Sequence, residues 1–509
     1  MVTRMLKERA AGVLMHISSL PSDYGIGVFD GNCVHFADSL KKMDFRYWQV
    51  LPFNPVDGSN SPYCSSSAFA GNFLFIDPRA LYEDGLCTKA EFEDNLYSGS
   101  PYTADYEFAA EKRLALLKCA FSRIDAELAA KIKDFEAENK WLTDFSLYMA
   151  LKEANGMKPW WEWDDEYARY EVFTEKHRYD YEERSAFWKF TQYVFFTQWK
   201  KIKAYINEDG IAVIGDMPIY VSMDSADVWA NRDMFLVDDK TLKPQKIAGV
   251  PPDYFSKDGQ LWGNPLYDWN RMEKDGYSWW IERIGAAIST YDIVRIDHFR
   301  AFASFWQVPA ESKTARVGEW AKGPGMKLFD KVFEKYPDTP IIAEDLGVFG
   351  DDVVKLLEDT DFPGMKVIQF GFDEDSDSSH LPHNAVKNSV NYVGTHDNNT
   401  LLGWLWEADE KSRRFALSYS GFKGENWGEG GYRSASCRAI IETVWKSVSN
   451  TAIISFQDMC GFGSDARMNI PGVADKNWRF RTTAETVDSV DAAYYKSINS
   501  IFKRNYKIF

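Results

Sequence analysis

Eight short apolar runs recur along the chain, separated by longer segments in which apolar residues follow helical spacing. Between the first two runs, Phe36, Leu40 and Met43 recur at three- and four-residue intervals, as in a crossover helix. Eight strands with helical crossovers predict an α/β fold, a (β/α)8 TIM barrel. The runs are GVLMHISSL (12–20), RYWQVLPF (46–53), IAVIGDMPIYV (211–221), DIVRIDHF (292–299), PIIAEDL (340–346), MKVIQFGF (365–372), SVNYVGTHD (389–397) and TAIISFQDM (451–459).

Two connections between these runs are too long to be ordinary loops. Residues 54–210 contain helical patterns at Glu107–Phe121 and Ser185–Ile206, which predicts an inserted, mostly helical subdomain between strands 2 and 3. Residues 222–291 are rich in Pro, Gly, Asp and Trp, so we interpret them as an irregular substrate-binding insertion or lid between strands 3 and 4. Residues 1–509 are then expected to form a single catalytic barrel unit.

Composition narrows the choice of partners. The chain has 59 Lys and Arg against 76 Asp and Glu, and its net charge of −17 makes nucleic acid and anionic membrane surfaces unlikely partners. The six cysteines lie far apart without metal-ligand spacing, which indicates reduced thiols in an unprocessed cytoplasmic protein with no membrane span. Aromatic residues make up 16% of the chain, and many lie in polar stretches that suit a ligand with apolar faces and many hydroxyls.

The stretch DIVRIDHFRAF (292–302) joins a β-branched apolar run to a group of charged residues. Because side chains alternate along a strand, Arg295 and Asp297 point to the same side, and the cation favours the ionised form of Asp297. Taken alone, the stretch is better explained by a structural ion pair than by a catalytic group.

Three further runs contain an acid near their carboxyl ends: Asp216 in the third, Glu344 in the fifth and Asp397 in the seventh. Barrel enzymes carry their chemistry at these ends, and four acids that meet there would repel one another unless they had a use. A retaining glycosidase needs such a set, with one carboxylate nucleophile and one acid whose pKa is raised.

The rival chemistry is a divalent cation held by Asp, Glu and Asp, as in enolase-like enzymes. Those enzymes also need a lysine near the strand ends, and none of the eight runs ends in lysine. The fixed charge of Arg295 would repel a second cation. The sequence therefore predicts neither a metal nor another cofactor.

Polar and aromatic residues beside the acids are candidate substrate-binding groups. His298 follows one acid and His396 precedes another, so we interpret both as hydrogen-bond donors to substrate hydroxyls. Tyr63 and Trp262 lie in the loop-like stretches NSPYCSSSAFAGN and QLWGNP. Their rings would stack on sugar or, alternatively, pack the loops against the barrel.

The order of seven motifs resembles that of the 4-α-glucanotransferases, also called amylomaltases or disproportionating enzymes, in the α-amylase superfamily. The resemblance implies transfer of α-1,4-glucan segments with retention of configuration. Asp297 would be the nucleophile, Glu344 the general acid/base, and Asp397 the carboxylate that grips the sugar ring. The motifs are SPY (61–63), GDMPIYV (215–221), DYFSKDGQLWGNPLYDW (253–269), RIDHFR (295–300), AEDLG (343–347), GTHDNNT (394–400) and RMNIPG (467–472).

The same resemblance implies the supporting residues and the substrates. The donor would be an α-1,4-glucan and the acceptor glucose or a maltooligosaccharide. Independently of the resemblance, the protein is expected to be a monomer or a homodimer. The polar supports would be Asp216, Arg295, His298 and His396, and the glucan path would be lined by Tyr63, Trp262 and Asn264.

The stretch Gly249–Pro265 is expected to cover the site and to exclude water, with Tyr254, Phe255 and Trp262 offering rings for stacking. Without such a cover, water could be the acceptor and the protein a hydrolase of the same superfamily. An inactive glucan-binding protein is the alternative from another class, and it is disfavoured because all three carboxylates are present.

Overall fold

Each of the eight apolar runs contributes a strand to one closed parallel barrel, which confirms the predicted fold. The structure is a computed structural model and describes residues 2–252, 256–347, 350–375, 377–473 and 475–507, so Tyr254 and Phe255 lie outside the described residues. The described strands are β1 (Ala10–Leu14), β2 (Tyr47–Gln49), β3 (Ala212–Pro218), β4 (Lys246–Val250), β5 (Gln260–Pro265), β6 (Ile293–Asp297), β7 (Ser304–Pro309), β8 (Glu319–Lys322), β9 (Ile341–Ala343), β10 (Gly364–Val367), β11 (Ser389–Tyr392) and β12 (Thr451–Ser455).

The barrel strands follow one another around the ring in chain order, from β1 through β2, β3, β6, β9, β10 and β11 to β12, which closes on β1. All residues of β1 and β12 are buried, because the barrel interior covers one face and helices cover the other. These runs are therefore apolar throughout rather than alternating, which is why they stand out in the sequence.

Helices cover the barrel and fill the long connections. The predicted crossover helix is α1, in which Phe36 and Leu40 are buried, and Met43 follows its last residue. The helices are α1 (Gly31–Lys42), α2 (Pro78–Glu83), α3 (Lys89–Glu93), α4 (Tyr106–Phe121), α5 (Ala126–Glu138), α6 (Trp141–Ala154), α7 (Asp165–Ala168), α8 (Tyr170–Lys176), α9 (Glu182–Glu208), α10 (Ala226–Ala230), α11 (Trp269–Lys274), α12 (Ser278–Thr290), α13 (Met326–Lys335), α14 (Asp351–Thr360), α15 (Leu401–Glu407), α16 (Glu410–Tyr419), α17 (Ala435–Lys446), α18 (Phe456–Cys460), α19 (Ala484–Ser489) and α20 (Ala492–Ile501).

Residues 54–210 contain α2 to α9, including helices at both predicted patterns. Two buried amides of α9 hold the segment that follows β2. Gln192 accepts from the N–H of Gly71 at 2.7 Å and donates to its carbonyl at 2.9 Å, and Gln198 bonds the backbone of Asp77 in the same way. The insertion thus fixes the backbone close to the SPY motif.

Residues 222–291 are more regular than their composition predicts, since they contain two strands and three helices. Strands β4 and β5 form a hairpin that joins β7 and β8 in a four-stranded antiparallel sheet of order β5-β4-β7-β8. Trp262, expected in a loop, lies in β5. Short strands interrupted by Gly and Pro carry little periodicity, which explains the missed hairpin.

The amino-terminal end of the barrel is closed by Arg504, which is fully buried. Its guanidinium donates to four backbone carbonyls at 2.9–3.2 Å, those of Trp445, Ser447, Ser449 and Asn450. The N–H of Ala11 in β1 donates to the Arg504 carbonyl at 3.0 Å. No helix within the described residues is long and apolar enough to cross a membrane.

Candidate active site

The predicted carboxylates lie together at the carboxyl end of the barrel because of the strand register. In the parallel pair β3 and β6, Asp216 is opposite Arg295. In the pair β6 and β9, Ile296 is opposite Ala343, so Asp297 and Glu344 follow as neighbours on adjacent strands. The sequence places these residues at the ends of the runs, and the parallel register places them side by side.

Arg295 joins two of the acids, as the alternation along the strand predicts. Its Nη1 contacts Asp216 Oδ1 at 2.8 Å and Oδ2 at 2.7 Å, and its Nη2 contacts Asp297 Oδ1 at 2.8 Å. Burial acts to lower the pKa of Arg295, but the carboxylates of Asp216 and Asp297 raise it well above its ordinary value. Arg295 is therefore a permanent cation beneath the mouth of the barrel.

Asp216 is fully covered and accepts a third hydrogen bond, from the Tyr63 hydroxyl at 2.8 Å. Burial acts to raise the pKa of Asp216, whereas the Arg295 guanidinium acts to lower it. Because the guanidinium contacts both carboxylate oxygens, we assign the pair as ionised. Asp297 differs in that its side chain is 30% exposed, so one edge of the nucleophile candidate is open to a ligand.

The environment of Glu344 contrasts with that of the partly exposed Asp297. It is buried, and its two oxygens accept hydrogen bonds from the backbone N–H groups of His298 at 2.7 Å and Leu346 at 2.6 Å. Burial, with a smaller contribution from the charge of Asp297, raises the pKa of Glu344 to about 8. The predicted rise is confirmed, and Glu344 carries a proton at neutral pH.

Asp397 reaches the mouth from the segment that follows β11. Asn469 Nδ2 donates to its Oδ1 at 2.6 Å, and Arg467 Nη2 donates to its backbone carbonyl at 2.6 Å. His396 Nε2 lies 3.4 Å from its Oδ2. The side chain of Asp397 remains 46% exposed and can accept hydrogen bonds from a ligand.

Two groups of rings lie next to the carboxylates. In the first group Tyr63 stacks on His396, with ring centroids 5.2 Å apart, and the Trp478 ring centroid lies 5.8 Å from that of Tyr63. In the second group Trp262 meets the His298 ring edge to face, with ring centroids 4.7 Å apart. Burial lowers the pKa of His298 to about 4, so its imidazole is neutral. Flat rings combined with carboxylates and other polar groups suit a sugar.

Nine of the ten predicted site residues are connected to one another through contacts or through neighbouring positions on adjacent strands. The tenth, Asn264, lies in β5 with Trp262, but its Nδ2 donates to the Val221 carbonyl at 2.8 Å and so also holds the hairpin against the segment after β3. Among the described residues no group of three His, Cys, Asp or Glu is arranged to hold a metal ion.

The roles of Arg467, Asn469 and Trp478 are not evident from the sequence. They contact Asp397 or His396 from about 70 residues along the chain or farther, and no periodicity relates the two segments. The motif RMNIPG contains the first two, but only the folded chain connects it to an acid.

Comparison with known proteins gives one consistent result. A family model described as 4-alpha-glucanotransferase matches residues 15–486. The chain is 44% identical to a 4-alpha-glucanotransferase of Clostridium butyricum, with 92% of this chain and 95% of that protein covered, and 42% identical to one of Thermus thermophilus, with 93% and 94% covered. The structure of an amylomaltase from Streptococcus agalactiae in complex with acarbose superposes with a TM-score of 0.93 at 38% identity, covering 98% of this chain and all of that one.

Proposed function

The chain belongs to the 4-alpha-glucanotransferase family, and on that premise we propose how its residues transfer a segment of α-1,4-glucan from one chain to another. The observation that carries the proposal is the contrast between neighbours: Asp297 is exposed and bonded to a cation, whereas Glu344 is buried with a pKa of about 8. Such a contrast separates a nucleophile from a general acid.

In the first step the Asp297 carboxylate attacks the anomeric carbon of the donor, and Glu344 transfers its proton to the departing glycosidic oxygen. The shortened glucan leaves, and the transferred segment is held as an ester of Asp297. The ester no longer carries the negative charge that helps to raise the pKa of Glu344. Glu344 thereby becomes a better base for the second step.

In the second step the Glu344 carboxylate removes the proton from the 4-hydroxyl of a glucose or maltooligosaccharide acceptor, and that oxygen attacks the same carbon. The bond to Asp297 breaks, and a new α-1,4 linkage forms with the original configuration. Arg295 favours the carboxylate of Asp297 as the leaving group. We assign to Asp397 the grip on the ring hydroxyls, supported by Asn469 and His396.

We assign the preference for a sugar acceptor over water to the β4–β5 hairpin. This assignment gives residues 222–291 a substrate-binding role. Trp262 is 36% exposed and lies beside His298, where a ring can stack on the acceptor. Trp262→Ala should weaken acceptor binding by roughly 1–3 kcal/mol, the range for one stacking contact as measured with bases. Free glucose from hydrolysis should then rise relative to oligomers from transfer. An unchanged ratio with a lower melting temperature would show that Trp262 only packs the hairpin.

Incubation with maltotriose followed by chromatography tests the reaction itself. Transfer gives glucose together with oligomers longer than maltotriose, whereas hydrolysis gives glucose and maltose only. If maltotriose remains unchanged, the result favours the alternative that the protein is an inactive glucan-binding protein.

A further inference from the structure

Two tryptophans form a paired surface on the outer face of the four-stranded sheet. Trp306 in β7 and Trp320 in β8 are register partners, with ring centroids 5.3 Å apart at an angle of 64°. Trp320 is 47% exposed, and Trp306 is partly buried beneath it. Two adjacent indoles form a larger apolar patch than the single exposed side chains that are normal on a protein surface.

The pair is held in a fixed orientation. Trp306 Nε1 donates to the Ala315 carbonyl at 2.9 Å, and the Arg300 guanidinium lies 4.1 Å from the centre of the Trp320 ring. Because both indoles are already ordered, a ligand that stacks on them would cost little side-chain entropy.

Arg300 connects this surface to the active site along the chain. It lies in the short helical turn Phe299–Phe302, directly after the strand that ends in Asp297. The side chain of Arg300 is partly buried, and this burial lowers its pKa.

A second connection passes through the hairpin. Asp258 lies in the turn before β5, and its Oδ1 forms an ion pair with Arg316 Nε at 2.6 Å. The backbone carbonyl of Asp258 accepts a hydrogen bond from the Ala315 N–H at 2.9 Å. The strand after this turn carries Trp262, which reaches His298 at the mouth. Trp262, Trp306 and Trp320 therefore lie on strands of the same four-stranded sheet.

The chemistry of the surface favours a neutral polyhydroxyl ligand. The net charge of −17 opposes the approach of a second copy or of an anionic polymer, but it does not affect an uncharged glucan. The two indoles offer flat apolar rings, and the Arg300 guanidinium next to the Trp320 ring is a polar group of this surface. Sugars present a matching combination of apolar faces and hydroxyls.

We propose that Trp320, supported by Trp306, is an outer binding site for an α-1,4-glucan chain whose other end occupies the active site. The inference rests on the proposed function, because the glucan must reach Asp297 from this side. Only chains long enough to cover both places can gain from the contact. We therefore expect the contact to favour amylose over maltotriose.

The test compares kcat/KM for long amylose with kcat/KM for maltotriose in the wild type and in Trp320→Ala. The ratio should fall roughly fivefold, the low end of the range for one lost stacking contact. Trp320→Phe keeps a ring and should lose less. Tyr179→Ala is the matched control, because Tyr179 is an aromatic residue that is 83% exposed in the helical insertion, and its ratio should equal that of the wild type.

A direct measurement of amylose binding tests the proposal without depending on turnover. In an Asp297→Asn background, affinity electrophoresis in amylose should show weaker retention when Trp320→Ala is added, with an unchanged melting temperature. An unchanged ratio and unchanged retention would overturn the inference. A change in particle mass by light scattering without a change in amylose binding would also overturn it and would assign the surface to contact between copies. If the wild type transfers glucose units from neither substrate, the proposed function fails instead.

Discussion

The two ends of the barrel each bury an arginine, in contrasting surroundings. At the mouth, Arg295 is bonded to the carboxylates of Asp216 and Asp297, which raise its pKa. At the floor, Arg504 donates to backbone carbonyls, and burial together with the nearby charge of Arg9 lowers its pKa well below the ordinary value. No carboxylate is among its hydrogen-bond partners in the described part of the chain.

The difference separates a structural cation from a functional one. Carbonyl oxygens satisfy the five N–H groups of an arginine without adding a charge, so the floor gains closure and holds no group that must titrate during a reaction. The mouth holds charges that a ligand can reach, since Asp297 and Asp397 are 30% and 46% exposed. Substitutions at the mouth should therefore change catalysis, and substitutions at the floor should change stability.

Asp297→Ala should give the largest effect at the mouth. Activity should fall by more than the ~10²–10⁴ typical of a single acid/base group, because the covalent step is lost. The melting temperature should stay close to that of the wild type, since Arg295 keeps its contacts with Asp216. Initial rates on maltotriose and a thermal melt measure both. Retention of more than a tenth of the activity would exclude Asp297 as the nucleophile.

Glu344→Gln should slow the natural donor by ~10²–10⁴-fold, because the leaving oxygen is no longer protonated. A glucosyl fluoride needs no such protonation, so formation of the glycosyl-enzyme from it should be nearly as fast as in the wild type. Stopped-flow rates with the two donors make the comparison. Equal losses with both would rule out Glu344 as the acid.

Arg504→Met should lower the free energy of unfolding by at least about 2 kcal/mol, because several buried carbonyls lose their donor. Urea denaturation measures the loss, and kcat/KM per folded molecule should not change. Arg433→Met is the matched control, since the side chain of Arg433 is 79% exposed. Normal stability with altered kcat/KM would break the distinction between floor and mouth.

The pH dependence of kcat/KM should show a smaller effect than the substitutions described above. Glu344 must be protonated in the first step, and its pKa is raised to about 8, so kcat/KM for maltotriose should be level around neutral pH and fall about tenfold per pH unit above pH 8. In Glu344→Gln with the glucosyl fluoride this alkaline limb should be absent. A limb that persists there would have to come from another group.

Prediction from sequence succeeded where local periodicity decides the geometry. Alternation along β6 placed Arg295 and Asp297 on one side, and the apolar runs gave the eight barrel strands. It failed where distant segments meet, as at Asp397 and Asn469, because no local pattern encodes a contact across 72 residues. The β4–β5 hairpin was interpreted as irregular because glycine and proline interrupt its strands.

Arg504 also constrains the order in which the molecule can be completed during translation. Ala10 and Ala11 begin the first barrel strand, yet they pair with β12 and contact Arg504, which the ribosome adds more than 400 residues later. Until then the first strand has an unpaired edge toward β12, a state that invites association with other chains. The barrel can therefore close only after nearly the whole sequence shown has been synthesised, and its early strands need protection during that interval.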